Sequence, residues 1–319
     1  MQRLDFHAMG CQMLAWIDWD DANATEALAQ VPLWFEEWEA SLSRFRDDSE
    51  LSALNRAQGK PMRVSETMWQ VVDAARRAAQ ESEGLVTPTL LDALHAAGYD
   101  RSFETLNRSS ALATCSAEIG DWHAIERDAK TRTIRLPREM RLDFGGVAKG
   151  WAADQAAQRL SAIAPALIDA GGDIALSGAR ANGEPWAIGV ANPFKPESDL
   201  ELLLVNQGGV ATSGRDYRRW QRDGKWQHHI IDPRTGAPAE TDVLSATVIA
   251  PTTRQAEVAA KVALILGSDE GIQWIEARNE LAGLLVLENG QIVRSRRMND
   301  FVWSEPIALF ENSVLPSWS

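Results

Sequence analysis

Leu142 to Leu160 reads LDFGGVAKGWAADQAAQRL, the pattern of a strand, a glycine-rich turn and a helix start with a lysine inside the turn. A helix N-terminus offers unpaired N–H groups and the positive end of a dipole, and glycines let that backbone approach an anion. Gly145, Gly146 and Gly150 supply the permissive backbone and Lys149 a mobile cation. The turn is neither a P-loop, since Lys149 precedes Gly150 with no Ser or Thr following, nor a G-x-G-x-x-G dinucleotide turn. Two readings stand at this point: a phosphate-holding turn, or a plain glycine-rich connection between strand and helix.

Working outward, Ala166 to Gly178 (ALIDAGGDIALSG) reads as two strands joined at Gly171-Gly172-Asp173. Pro165 stops the helix before it, and a run of strands follows to about Ile231. Within that run Asn192 to Asp199 (NPFKPESD) carries two prolines and reads as a loop. Upstream, strands near Leu4–His7 and Gln12–Trp19 precede a long helix from about Ala22 to Leu42. A second helix, Glu66 to Glu81, is capped by Ser65. Gly98 to Thr114 reads as an irregular surface excursion, and Trp122 to Leu136 as a hairpin. Downstream come a strand at Val243–Ile249, helices at Arg254–Leu266 and Asp269–Arg278, and a hairpin around Asn289-Gly290. Helices interspersed with antiparallel hairpins predict an α+β fold, not a doubly wound parallel sheet.

Two further blocks carry candidate chemistry. Val210 to Gly236 contains Thr212-Ser213-Gly214 and the run His228-His229-Ile230-Ile231-Asp232-Pro233. Thr252 to Gly267 is a helix on which Glu257 and Lys261 stand four apart and share a face, which by itself also describes a surface ion pair. A histidine beside an Asp-Pro turn has a structural reading too. His228 is expected to be structural, since adjacent strand residues face opposite ways.

The order of these blocks resembles the ApbE family of FAD:protein FMN transferases over most of the chain. The similarity runs through Met9-Gly10, Ser43–Asn55 (SRFRDDSELSALN), Gly84–Pro88, the glycine-lysine turn and His229–Gly236 (HIIDPRTG). It implies a T-fold-like, two-lobed α+β architecture of mixed or antiparallel sheets and packed helices, with FAD in the cleft between the lobes. The whole chain, 1–319, would form one such domain. The implied reaction cuts FAD at its pyrophosphate, esterifies FMN through phosphate to a Thr or Ser of an acceptor protein, and releases AMP.

Residue by residue, the resemblance implies flavin-nucleotide contacts at Met9, Phe45, Leu85, Val86, Thr87 and Ile231, and pyrophosphate-turn contacts at Gly145 and Trp151. Lys149 would meet phosphate. His229 would activate the acceptor hydroxyl, with Asp232 orienting its ring or binding the ribityl chain. Ala148, by its carbonyl, and Glu257 and Lys261 match the Mg²⁺-binding positions, and Ala260, on the same helix as the last two, matches a cofactor contact. Lys261 departs from the family, because an ammonium cannot coordinate a hard cation; either it stands in for part of the cation's charge, or it bends out to solvent and leaves Mg²⁺ to Glu257, the Ala148 carbonyl, phosphate oxygens and water. Thr87 departs as well, standing where an Asp is common. The alternative outcome of these departures is a protein that binds FAD, or hydrolyses it to FMN and AMP, without efficient flavinylation.

Composition bounds these readings. A chain of 319 residues, 45% hydrophobic, can bury a large core. A net charge of -13 disfavours nucleic acid and anionic membranes as partners. No run approaches the ~20 apolar residues of a membrane span. The N-terminus lacks the pattern of a secretory signal, and the two cysteines, Cys11 and Cys115, form no disulfide framework, so a cytoplasmic setting is expected. The group Arg215, Arg218, Arg219 and Arg222 could gather positive potential for FAD, though it reads first as a solvated basic segment, and most of the thirteen tryptophans read as packing.

Overall fold

A two-residue turn starts the architecture. In the computed structural model, which describes residues 1–106, 117–216, 218–222 and 225–304, Met9 and Gly10 both have positive φ, 50° and 67°. Two such residues match the twist of the strands they join. Those strands are β1 (Gln2–Ala8) and β2 (Cys11–Ile17), paired antiparallel from Gln2↔Ile17 to Ala8↔Cys11. The sheet continues through β3 (Ala166–Ala170), β4 (Asp173–Leu176), β5 (Gly208–Gly214), β6 (Val243–Ala250), β7 (Ala282–Leu287) and β8 (Ile292–Arg294). Among the described residues it is eight-stranded, in chain order, and antiparallel at every pairing.

The helices interrupt this meander in two places. Between β2 and β3 lie α1 (Ala22–Leu42), α2 (Glu50–Asn55), α3 (Glu66–Glu81), α4 (Leu91–Ala96) and α5 (Ala148–Ser161). Between β6 and β7 lie α6 (Thr253–Leu266) and α7 (Ser268–Glu276). Two strands, helices, two strands therefore occur twice, and the two halves share one sheet at the β4–β5 pairing. Side-chain caps start the long helices: Asp21 accepts from the Ala24 N–H, Ser65 from Met68 and Thr252 from Gln255.

Strand alternation sorts the core into layers. Met13, Ala15 and Ile17 of β2 face the helices, against Phe35 and Trp38 of α1 and the small face Ala152, Ala153, Ala156 of α5. Leu14, with Leu167, Ile174 and Leu284, faces the other way, onto a hairpin formed by Trp186–Asn192 and Lys195–Val205.

Two sequence expectations are corrected. Leu142–Phe144 joins no strand ladder. The Asn55 side chain brackets Leu142 instead: its amide donates to the Leu142 carbonyl at 2.9 Å and accepts from the Leu142 N–H at 2.7 Å, while the Asp143 N–H bonds the Pro88 carbonyl. Of the stretch read as a proline loop, Lys195 to Asp199 belongs to the strand Lys195–Val205, in a pairing with register shifts at Val190/Ala191 and Ala191/Asn192. An irregular outer strand tolerates a proline that a central one would not. The surface excursion is irregular as far as Leu106, with a 3₁₀ turn at Phe103–Thr105; its remainder lies outside the described residues. No helix among the described residues is long and apolar enough to cross a membrane.

Candidate active site

A cavity of about 440 Å³ opens where the β1–β2 turn, the N-terminus of α5, the middle of α6, Arg218 and the run 229–231 converge. It is lined by Met9, Phe45, Leu85, Val86, Thr87, Gly145, Ala148, Lys149, His229, Ile231 and Lys261, so most of the sequence-predicted site residues meet at one place.

The glycine turn is partly occupied by the protein itself. The Gly145 N–H bonds Asp143 Oδ1 at 2.9 Å, and the Gly150 N–H bonds Glu257 Oε2 at 3.0 Å. A Cβ on Gly150 would lie 2.8 Å from that carboxylate oxygen and 2.9 Å from the Arg254 backbone, so α6 rests on a position where only hydrogen fits. The helix N-terminus therefore faces an internal carboxylate as well as the cavity.

Glu257 is the centre of a buried cluster. Only 1% exposed, its Oε1 takes Lys261 Nζ at 3.0 Å and Lys149 Nζ at 3.5 Å. Lys149 also pairs with Asp173, which is 3% exposed. The surface-pair reading of Glu257 and Lys261 is thus overturned, and Lys149 is an anchored cation, not a mobile one. Burial pushes the Glu257 carboxyl up, but Lys261, Lys149 and the Gly150 N–H outweigh it and hold the group below its ordinary range. Burial pulls the Lys149 ammonium down, opposed by Glu257. Beside them Asp169, buried and accepting from the Gly172 N–H at 2.7 Å, is pushed up to about 6 by burial.

This donor set does not fit a hard dication. The carboxylate that would bind it is already engaged by two ammoniums and an amide, and Lys261 brings three donors and no lone pair. Among the described residues no group of three or more His, Cys, Asp or Glu is placed to hold a metal.

Another part of the cavity wall is aromatic. Phe45 meets Tyr99 edge-on at 5.8 Å, and Tyr99 stands 5.5 Å from Trp220 and 6.5 Å from the His229 ring. Arg44 lies against both Phe45 (4.1 Å) and Tyr99 (4.6 Å), fixed by Asp143 at 2.9 Å and by the Tyr99 carbonyl. Thr87 is buried and bonded to Thr89 Oγ1 at 2.9 Å. Arg218 donates to Cys11 Sγ at 3.0 Å and to the Gly10 carbonyl, beside the turn that carries Met9.

His229 also lines the cavity. Loss of solvent around the ring holds its pKa well below 6.5, and the charges of Arg218 and Lys261 push the same way, so the ring is neutral at physiological pH and able to accept a proton. His228 faces away: its Nε2–H donates to the Ala239 carbonyl at 3.1 Å, and burial holds it down to about 4.

Three expected site residues are placed elsewhere. Asp232 gives its carboxylate to Arg234, at 2.8 Å, and its carbonyl to the N–H groups of Thr235 and Gly236, so it shapes the turn after Ile231 and does not orient His229. Trp151 packs edge-on against Trp38 at 5.4 Å in the core, and Ala260 is fully buried among the aliphatic residues of α6 and its sheet. Helix geometry explains Trp151: two residues after Lys149 it points about 200° away, so a cleft-facing Lys149 sends it into the core. The basic segment divides likewise. Arg215 is structural, bonded to the Val243 and Thr241 carbonyls and paired with Glu288, whereas Arg218 lines the cavity.

The sequence reading missed Arg44 and Asp173 as site residues and favoured a solvated place for Arg218. Signals existed for the first two: Arg44 precedes the aromatic Phe45, and Asp173 ends a glycine turn.

Comparison with known proteins follows the same outline. The ApbE family model matches residues 9–285. The FAD:protein FMN transferase of Treponema pallidum is 32% identical over 298 residues, covering 88% of this chain and 82% of that protein. The one from Salmonella typhimurium is 29% identical, with 86% and 80% covered. Among solved structures, the ApbE protein of Thermotoga maritima superposes with a TM-score of 0.85 at 24% identity, covering 95% of this chain and 99% of that one. The flavin transferase ApbE of Vibrio cholerae gives 0.77 at 25% identity, with 94% and 99% covered.

Proposed function

The chain belongs to the ApbE family of FAD:protein FMN transferases, and we propose that it performs that transfer with His229 as base and the Lys149–Lys261 end of the cavity as the pyrophosphate site. The observation that carries this reading is a neutral histidine sharing one cavity with two anchored ammoniums and a glycine turn.

In the reaction, the hydroxyl oxygen of an acceptor Thr or Ser attacks the FMN-side phosphorus of FAD. A new P–O ester bond forms, the bond to the bridging oxygen breaks, and AMP departs with that oxygen and its electron pair. His229 takes the hydroxyl proton. Phosphoryl transfer asks mainly for positioning and charge neutralisation. Lys149, Lys261 and Arg218 supply positive charge at fixed positions, while Phe45 and Tyr99, stiffened by Arg44, offer faces for the isoalloxazine. Asp232 supports the strand end that presents Ile231, and Trp151 and Ala260 back the wall.

The whole chain acts as one catalytic domain in this reading, since both halves contribute to the cavity. A cytoplasmic setting accords with its cysteine usage. The test is incubation of the protein with FAD and an acceptor bearing the target Thr or Ser, followed by mass measurement of the acceptor and quantification of AMP. Acceptor carrying FMN, with AMP released in equal amount, supports the transferase. AMP released equally without acceptor identifies a pyrophosphatase, and bound FAD with no AMP a carrier; either sinks the proposal.

A further inference from the structure

We propose that the Lys149–Lys261 ammonium pair holds the FAD pyrophosphate in place of a divalent cation, so that this protein binds FAD without a metal. The inference rests on the pyrophosphate placement above. Charge comes first: Glu257 and Asp173 contribute two buried negative charges, and Lys149 and Lys261 two positive ones, all within one chain of contacts. A third carboxyl, Asp169, lies beside Lys149 with its pKa pushed up to about 6 by burial, so the negative charge in excess of the two ammoniums is at most one and faces a third cation at the same cavity. Arg218, at the same cavity, adds to the positive side.

Geometry comes second. Lys261 occupies the space under the glycine turn: its Cε would lie 3.7 Å from a Cβ at Gly146. Both lysine side chains line the cavity while their carboxylate partners are buried behind them. Each ammonium thus has N–H groups to spare for phosphate oxygens, and each is already oriented by its partner. A dication entering beside Glu257 would have to displace Lys261 and separate a pair in which Glu257 is 1% exposed.

Chemistry comes third. Ammoniums neutralise phosphate charge and donate hydrogen bonds, but they do not gather oxygen ligands around one centre. Replacing Lys261 by a small neutral residue leaves two carboxylates facing one ammonium. That change should turn a cation-filled site into one that recruits a cation.

The experiment measures FAD affinity by quenching of flavin fluorescence in EDTA and in excess Mg²⁺, for wild type and Lys261→Thr. Mn²⁺ binding to the FAD-loaded proteins is followed by electron paramagnetic resonance. The wild-type dissociation constant should agree within about twofold between the two conditions, well short of the tenfold that marks one strong polar contact. Lys261→Thr should bind FAD at least about tenfold more weakly in EDTA, recover with Mg²⁺ and take up Mn²⁺. If Lys261→Thr does not fold, Lys261→Met, which keeps the stem, serves in its place. Wild-type affinity that rises tenfold with Mg²⁺, or Mn²⁺ bound stoichiometrically to the wild-type FAD complex, overturns the proposal. Acceptor flavinylation is read separately. EDTA-insensitive FAD binding without transfer would uphold the ammonium pair and refute the transferase reading.

Discussion

His229→Ala isolates proton transfer from binding. The ring is one part of the wall of a cavity whose other proposed contacts to a flavin nucleotide are Phe45, Tyr99 and the two lysines, and its aromatic neighbour is Tyr99 at 6.5 Å between centroids. Removing it should change FAD affinity by no more than about threefold, the scale of one weak contact at a cavity edge. Transfer should fall by about 10²- to 10⁴-fold, the usual span for a lost general base, or about 3 to 5.5 kcal/mol of barrier. The assay is single-turnover flavinylation of an acceptor followed by mass, with FAD titration of the same preparation. The pH profile supplies an independent reading. A base works only when unprotonated, and solvent loss holds His229 well below 6.5, so the wild-type rate should stay level as pH falls through 6.5 and drop only below it. A variant retaining more than about a tenth of wild-type transfer lies outside the span expected for a base and refutes the assignment. So does an acid limb centred at or above the ordinary histidine value.

Lys149→Ala should weaken FAD binding by about tenfold or more and riboflavin binding by less than about twofold, because only FAD carries phosphate; equal losses in parallel fluorescence titrations would make the residue structural. The same variant strands Asp173 and should lower the unfolding free energy by about 3 kcal/mol in urea melts. Gly150→Ala presses a methyl group onto Glu257 and the Arg254 backbone and should cost about 1–3 kcal/mol by urea denaturation; an unshifted midpoint would show that α6 moves freely. His228 stays neutral in the folded protein to about 4, so between pH 6.5 and 4 the unfolded chain takes up a proton that the fold refuses. Stability from this group is present above 6.5 and lost as pH falls, by up to about 3 kcal/mol, and His228→Asn should remove that part of the slope in melts taken between those values.

The parts of the fold legible in the sequence are those whose causes are local. Asp21 and Ser65 cap α1 and α3, and periodic apolar residues carry them to the predicted ends; the glycine turns between β3 and β4 and at Asn289-Gly290 stand where expected. The misread parts have distant causes. Leu142–Phe144 looks like a strand, but its hydrogen bonds go to Asn55, which sequence spacing does not reveal. The site divides along the same line. His229, Lys149 and Lys261 were legible as residues, yet the burial of Glu257 and the pairing of Lys149 with Asp173 depend on α6 crossing the N-terminus of α5. The repetition of two strands, helices and two strands is a property of the topology and left no short repeat in the sequence.

That crossing gives the cluster a second task. Glu257 of α6 holds the Gly150 N–H of α5, and one turn further along Asp154 of α5 accepts from the Thr253 and Arg254 N–H groups that begin α6. Arg254 in turn reaches Glu81 at the end of α3. The helices of the two halves are therefore tied through each other's N-termini, each by a carboxylate from its partner, which satisfies amides that would otherwise be orphaned. Because the ammoniums are anchored to the same carboxylate that makes this tie, their positions are fixed by the packing of the two halves, not by the arrival of a ligand. Charges held this way lose little further freedom on meeting a pyrophosphate, and for a reaction that depends on placement more than on bond chemistry, that pre-ordering is what the cavity contributes before FAD enters.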